Sequence, residues 1–489
     1  MSIKKHTAYN LLGAVLPLSL SLFTIPLYIR LIGEARYGVL AVAWLLLGYF
    51  GLFDLGLGRA TSQRIASMSD ASPAQRASTF WTALGMNGSL GVVGGLIIWP
   101  VAAYFFENFF SVDAALRPEL AAAIPWLVLA VPLATLSGVL SGALEGRAKF
   151  LELNIVSVSS SVLIQLLPLA VVWVHGPDLA WLLPAVILSR LVTLTFLFLR
   201  CRVHVFHGHA PIFSRTQAKG LLQFGGWVSV SSLVGPMMVI LDRFVIGSTL
   251  GAKAVTYYTV PFQLAERSIL LPGALISALF PRLAAAGTAE AGVLATTAIR
   301  SLAVVMTPLI LIGVLLVEPF LRWWLNPEFA SRAGLTAQVL LLGYWINAFA
   351  GVAYSQLQAA GKPAVVAKCH LGELAPYLLL LYLGLHFWGL PGAAVAFGLR
   401  TLTDCALLMW FAGTLQVGVK ALKTPVMLLF AGLAIAAGLP ACNAMWWMAA
   451  FGLLLFSLGW SWRMAPSEVR NLLIRIVNKL SIKKRENSL

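Results

Sequence analysis

The sequence predicts an all-α polytopic membrane protein of about fourteen transmembrane helices, with both termini in the cytoplasm. Three observations predict it. Apolar residues make up 60% of the 489 residues and charged residues only 11%, and the mean hydropathy is +0.87. A soluble domain carries roughly a quarter charged residues, so the bilayer is the expected solvent. The apolar residues form runs of about 20 without strict alternation, as helices crossing the hydrocarbon do and barrel strands do not. The basic residues collect between the runs, mostly on alternate connections, as topology signals do.

The first run, about 9–32, follows Lys4 and Lys5. It resembles a signal peptide, but it is long and no small-x-small cleavage site follows, so a retained helix is expected. The second, 37–58, begins after Arg36 and ends at Arg59 and Arg64. The third, 79–104, follows Arg76, and the fourth, 120–144, follows Arg117. Arg147 and Lys149 divide the fourth from the fifth, 153–175. The sixth, 179–199, runs into a basic segment with Arg200, Arg202, Arg215 and Lys219. The seventh and eighth, 221–247 and 254–281, flank Lys253. The ninth, 297–319, follows Arg282 and carries Arg300 at its start, and the tenth, 335–360, follows Arg322 and Arg332. Lys362 and Lys368 precede the eleventh and twelfth, 369–388 and 391–416. Lys420 and Lys423 precede the last two, 425–440 and 444–462.

With the N-terminus inside, 24 of the 34 Lys and Arg fall on the cytoplasmic side, five on the outer side and five within runs. This bias supports both ends inside and an even helix count, because one helix more or fewer would scramble the alternation. The largest outer connections, 105–119 and 320–334, hold at most a short interfacial helix. Residues 467–480 alternate apolar and basic positions at helical spacing ahead of Lys483-Lys484-Arg485, and are expected on the anionic inner leaflet.

The net charge of +16 suggests nucleic acid until its distribution is considered; basic residues in short connections are topology signals, and no nucleic-acid partner is expected. Cys201, Cys369, Cys405 and Cys442 are far apart and have no histidine at metal spacing, so neither disulfide nor zinc is expected. No Walker loop, GxSxG, HExxH or acidic pair appears. No catalytic residue, metal or cofactor is therefore expected. His204, His207 and His209 are read as part of a solvated basic loop.

Weak internal repetition is present. Gly33 matches Gly251, Gly146 matches Gly361, and Arg190 matches Arg400, with an offset that shortens slowly along the chain. Runs one to six and seven to twelve thus read as two parallel repeats, followed by two additional helices. The expected divisions are residues 1–217, 218–420, 421–462 and a basic cytoplasmic tail at 463–489.

Ionisable groups inside a span are costly and face a cavity or each other. Arg30 lies near the outer end of its span, while Asp54 and Glu373 lie near inner ends. Arg190, Glu266, Arg267, Arg400 and Asp404 fall near the middle of theirs. Arg400 and Asp404 are spaced i, i+4 and can pair on one helix face. Arg190 has no acid on its own helix. Asp242 and Arg243, like Glu266 and Arg267, are adjacent and point in different directions, so each is expected to need its own partner. Prolines inside the spans, among them Pro17, Pro26, Pro272 and Pro376, suit helices that bend, though both proline and glycine are common in membrane helices.

Several segments resemble the bacterial polysaccharide transport proteins, lipid-linked oligosaccharide flippases of the multidrug/oligosaccharidyl-lipid/polysaccharide exporter superfamily. They are Leu31-Ile-Gly-Glu-Ala-Arg-Tyr-Gly, Phe53-Asp-Leu-Gly-Leu-Gly-Arg-Ala-Thr-Ser-Gln-Arg-Ile-Ala, Phe224-Gly-Gly-Trp, Leu241-Asp-Arg-Phe-Val-Ile-Gly-Ser-Thr-Leu-Gly and Leu279-Phe-Pro-Arg-Leu. The resemblance covers nearly the whole chain. It implies two six-helix bundles around a cationic cavity, with two further helices. It implies an inner-membrane protein that moves an undecaprenyl-diphosphate-linked glycan outward, beside a polysaccharide polymerase and chain-length regulator. Arg30, Arg59, Arg190, Arg243, Arg267 and Arg400 are the candidates to meet that substrate. Asp54, Asp242, Glu266 and Asp404 are candidates for ion coupling or charge pairing. Two alternatives are a drug or cation antiporter of the same superfamily, disfavoured by five arginines in the spans, and a membrane polymerase or ligase, which needs a long outer loop.

Overall fold

The computed structural model describes residues 3–49, 56–68, 71–108, 110, 112–439, 442–467 and 470. Among them there is no strand, and ten helices are long and apolar enough to cross a membrane. Among the described residues each expected run is largely helical, although helix boundaries and span boundaries do not coincide. α1 (Ile3–Tyr49) holds the first run and part of the second, bent at Gly33, where φ is 79°. That left-handed backbone region is open to glycine and costly for other residues. α2 (Leu57–Ala66) completes the second run. α3 (Pro73–Asn108), α4 (Arg117–Gly146), α5 (Phe150–His175), α6 (Leu179–Cys201) and α7 (Arg215–Leu250) follow.

The eighth run is broken. α8 (Ala252–Glu266) and α9 (Leu270–Ala285) are joined by a 3-10 turn at Arg267–Ile269. Pro272 has no N–H for the carbonyl of Ser268, one α-helical step back, which explains the tightened turn there. α10 (Thr288–Trp324) and α11 (Pro327–Ala359) are unbroken. α12 (Pro363–Phe411) is an antiparallel pair that folds back at Gly389, where φ is 61°. α13 (Leu415–Gly438) and α14 (Ala444–Met464) close the chain.

The helices form two compact units, Met1–Thr256 and Tyr257–Leu489. The sequence places the first division at 217, ahead of α7. The start of α7 packs on α2, α3 and α4, where Leu221 joins a buried cluster with Leu57, Ala60, Ala83 and Val139.

In the first unit, α3 turns Leu96, Ile97, Val101 and Tyr104 outward, each more than 60% exposed, as a lipid-facing surface does. Apolar association gains little between helices in lipid, so close packing and polar ties must hold them. Asn87 Nδ2 donates to the Thr135 carbonyl at 2.9 Å, and the Thr135 hydroxyl donates back to the Asn87 carbonyl at 3.1 Å, joining α3 to α4. The Thr24 hydroxyl donates to Gln165 Oε1 at 2.9 Å, and Tyr28 donates to the Gln165 carbonyl at 2.6 Å, joining α1 to α5. In model systems such interhelical bonds are worth about 0.6–2 kcal/mol each. Arg36 and Glu119 pair at one end of the unit, and Glu119 also accepts the amide of Leu179.

The segment after α6 departs from the solvated loop expected. Residues Arg202–Phe206 form one turn of π-helix that tucks Val205 and Phe206 into a cluster with Phe80, Leu140 and Leu197. Phe206 stacks on Phe80 with ring centroids 5.0 Å apart. His204 Nε2 lies 2.8 Å from Glu152, which also accepts from Arg200 at 2.9 Å. The chain rejoins the bundle here because two apolar residues, Val205 and Phe206, follow one another between basic ones.

Candidate functional site

Within the first unit, Arg190 stands at the centre of α6. Its Nε is buried and has no hydrogen-bond partner, and no carboxylate lies within ion-pair distance of it among the described residues. Among the described residues, this guanidinium at mid-span lacks the counter-charge that ordinarily accompanies one. The ring of helices explains its position: α6 buries Leu182, Leu183, Val186 and Ser189 against α4 and α5, and residue 190 falls at the edge of that buried face.

The other expected arginines of this unit are placed differently. Arg30 is exposed on α1, three positions before the Gly33 bend. Arg59 is exposed in the first turn of α2. Arg243 and Asp242 on α7 are each 1% exposed, and Arg243 Nη1 lies 2.6 Å from both Asp242 carboxylate oxygens. The two neighbours thus meet one another, although adjacent helix positions point in different directions. The arginine stem is long and flexible enough to curl back onto the adjacent residue. Asp54 lies outside the described residues.

In the second unit, Glu266 and Arg267 are exposed side by side at the α8–α9 break. α12 carries a second set of charges. Its two arms approach backbone to backbone at Gly384 and Gly392, where an added Cβ on either would strike the other's carbonyl. Away from that contact the arms enclose a cavity of about 550 Å³. Lys368, Glu373 and Arg400 line it together with apolar side chains. Arg400 lies 5.6 Å from the ring centres of both Tyr377 and Phe397, within cation–π range. Asp404, 6% exposed, has its Oδ1 3.3 Å from His370 Nε2 on the other arm.

The sequence passed over His370, and it set Glu373 aside as an interfacial acid. Glu373 is 5% exposed, and neither carboxylate oxygen has a hydrogen-bond partner. The available signal was spacing: His370 and Glu373 are i, i+3 on one helix face inside an apolar run. Among the described residues no group of three or more His, Cys, Asp and Glu could hold a metal ion.

Residues 3–286 match the family described as "Polysaccharide biosynthesis protein". The chain belongs to that family. A curated relative, the Shigella flexneri protein named "Putative O-antigen transporter", is 29% identical over 413 residues, which is 84% of this chain and 97% of that protein. Among solved structures, the lipid II flippase MurJ in an inward closed conformation aligns over 96% of this chain and all but 1% or less of its own, with TM-score 0.71 and 13% identity. An inward-facing MATE transporter of the MOP superfamily aligns over 84% of this chain and 99% of its own, with TM-score 0.70 and 17% identity. At these identities the structural likeness establishes the fold. The relatives are transporters and flippases by name, and the polymerase or ligase alternative finds no counterpart among them.

Proposed function

We propose that this family member is a flippase for an undecaprenyl-diphosphate-linked oligosaccharide in the inner membrane, moving it outward for surface polysaccharide assembly. Arg190 carries the reading: a mid-span guanidinium with a buried, unbonded Nε suits an anionic headgroup that must leave water. Arg30, exposed on a span of the same unit, is proposed to act with it along the route. A charge exposed at mid-span is disfavoured against lipid tails and favoured against water, which supports a hydrated surface at the Glu266–Arg267 break of the second unit. The names of the relatives agree with a lipid-linked glycan as cargo. A polymerase and a chain-length regulator are proposed as functional neighbours.

The membrane potential already favours this direction. Moving two negative charges outward across 100 mV, inside negative, gains about 4.6 kcal/mol at about 2.3 kcal/mol each.

Purified protein in proteoliposomes containing the labelled glycolipid tests the function. Sugar exposed to an impermeant glycosidase should increase over protein-free vesicles, and more so under an inside-negative potential imposed in the transport direction. Folded protein that moves no glycolipid above the protein-free rate would refute the proposal.

A further inference from the structure

We propose that the cavity between the two arms of α12 binds a zwitterionic phospholipid bearing a primary amine, of the phosphatidylethanolamine type. The cavity of about 550 Å³ lies between residues 365–380 of one arm and 400–411 of the other, towards the end of the hairpin away from Gly389. It is within the usual size range for small-molecule sites and holds a headgroup with the first part of its chains.

Its charges are of both signs. Lys368 and Arg400 supply cations for a phosphate; the ammonium is a compact donor and the guanidinium a planar one. Glu373 lines the same cavity, is 5% exposed, and has two buried carboxylate oxygens without a hydrogen-bond partner. A buried acid of this kind needs a donor of opposite charge. A phosphate alone satisfies the two cations and leaves Glu373 unmet. A primary ammonium joined to a phosphate through two carbons meets all three, and Leu380, Leu407 and Phe411 offer apolar surface to the attached chains. A trimethylated amine carries the same charge but has no N–H to donate, so the hydrogen-bonding demand of Glu373 distinguishes the two headgroups. The tight Gly384–Gly392 crossing holds the arms at one end and keeps the wedge open at the other. This inference stands apart from the glycolipid route, which is assigned to Arg30 and Arg190.

The test is native mass spectrometry of the full-length protein released from nanodiscs of equal parts phosphatidylethanolamine, phosphatidylcholine and phosphatidylglycerol. The wild-type protein should retain the ethanolamine lipid at least tenfold over the choline lipid. Glu373→Gln should erase that preference, while Lys368→Gln, which acts on the phosphate common to all three, should lower retention of every lipid and keep the order among them. The headgroup series on the wild-type protein needs no variant, so a variant that fails to fold does not spare the proposal. Equal retention of ethanolamine and choline lipids, preferential retention of the glycerol lipid, or wild-type preference in folded Glu373→Gln would overturn it.

Discussion

Arg243 turns back on its own neighbour, with Nη1 2.6 Å from both carboxylate oxygens of Asp242, and both residues are 1% exposed. A pair this deeply buried is poor evidence of net stabilisation, but removing one member takes a counter-ion from the other in a buried site. Asp242→Ala and Arg243→Ala should each destabilise the detergent-solubilised protein by about 3–5 kcal/mol. The double variant Asp242→Leu/Arg243→Met should recover most of the loss. Denaturant unfolding of the four proteins checks this; a double variant as unstable as the sum of the singles would show that the pair itself is not the source.

Gly384 and Gly392 set the hairpin of α12. Leucine at either position forces the arms apart and should cost about 1–3 kcal/mol or more. Gly398→Ala is the control, because nothing lies within 4 Å of the added carbon, and it should be neutral or slightly stabilising. Thermal unfolding in detergent separates the two classes. Unchanged stability of Gly392→Leu would mean the crossing does not constrain the fold.

Native cysteines report topology. Cys442 is exposed at the turn before α14, whereas Cys201 and Cys405 are buried. With both termini cytoplasmic, an impermeant maleimide added to spheroplasts should label the wild-type protein and leave Cys442→Ser unlabelled. A cysteine placed at Ser214 in the Cys442→Ser background should react only after the membrane is opened. Labelling at position 214 from outside would reverse the orientation.

Arg190 should be required for export and dispensable for insertion. Arg190→Ala is expected to reach normal membrane levels and lose at least tenfold in surface glycan, and Arg190→Lys to restore only part, because an ammonium cannot bind phosphate through two parallel N–H groups. Surface glycan measured beside protein abundance decides it. Wild-type glycan from Arg190→Ala at normal abundance would remove Arg190 from the substrate route.

Glu266 and Asp404 are the acids proposed to exchange a proton if transport is proton-coupled. Glu266 adjoins Arg267, and Asp404 lies one helical turn after Arg400, so mere neutralisation is the competing role. Glycolipid flipping with and without an imposed pH gradient separates them. Coupling predicts a rate that rises with the gradient in the wild-type protein and does not in Glu266→Gln/Asp404→Asn. Flipping indifferent to both gradient and substitution leaves neutralisation as their role.

The sequence by itself determined the solvent, the all-α character, the order of the apolar runs, the bias of basic connections and the family. Each is written in residues close together along the chain: about 20 apolar residues make a span whatever they later pack against. It also marked Arg190 and Arg400 as costly groups, because cost at mid-span depends on depth alone. Which groups meet depends on contacts across the fold, and only the tertiary structure decided those. It bent Arg243 onto Asp242, brought His370 opposite Asp404 across the α12 hairpin, and left the carboxylate of Glu373 buried and unbonded. It packed Leu221 of α7 on α2 and α3, and drew Val205 and Phe206 out of a basic connection into the bundle. Helix periodicity fixes which face a residue occupies, but a partner on another helix is set by how the helices cross, and that geometry emerges only when every face is packed at once.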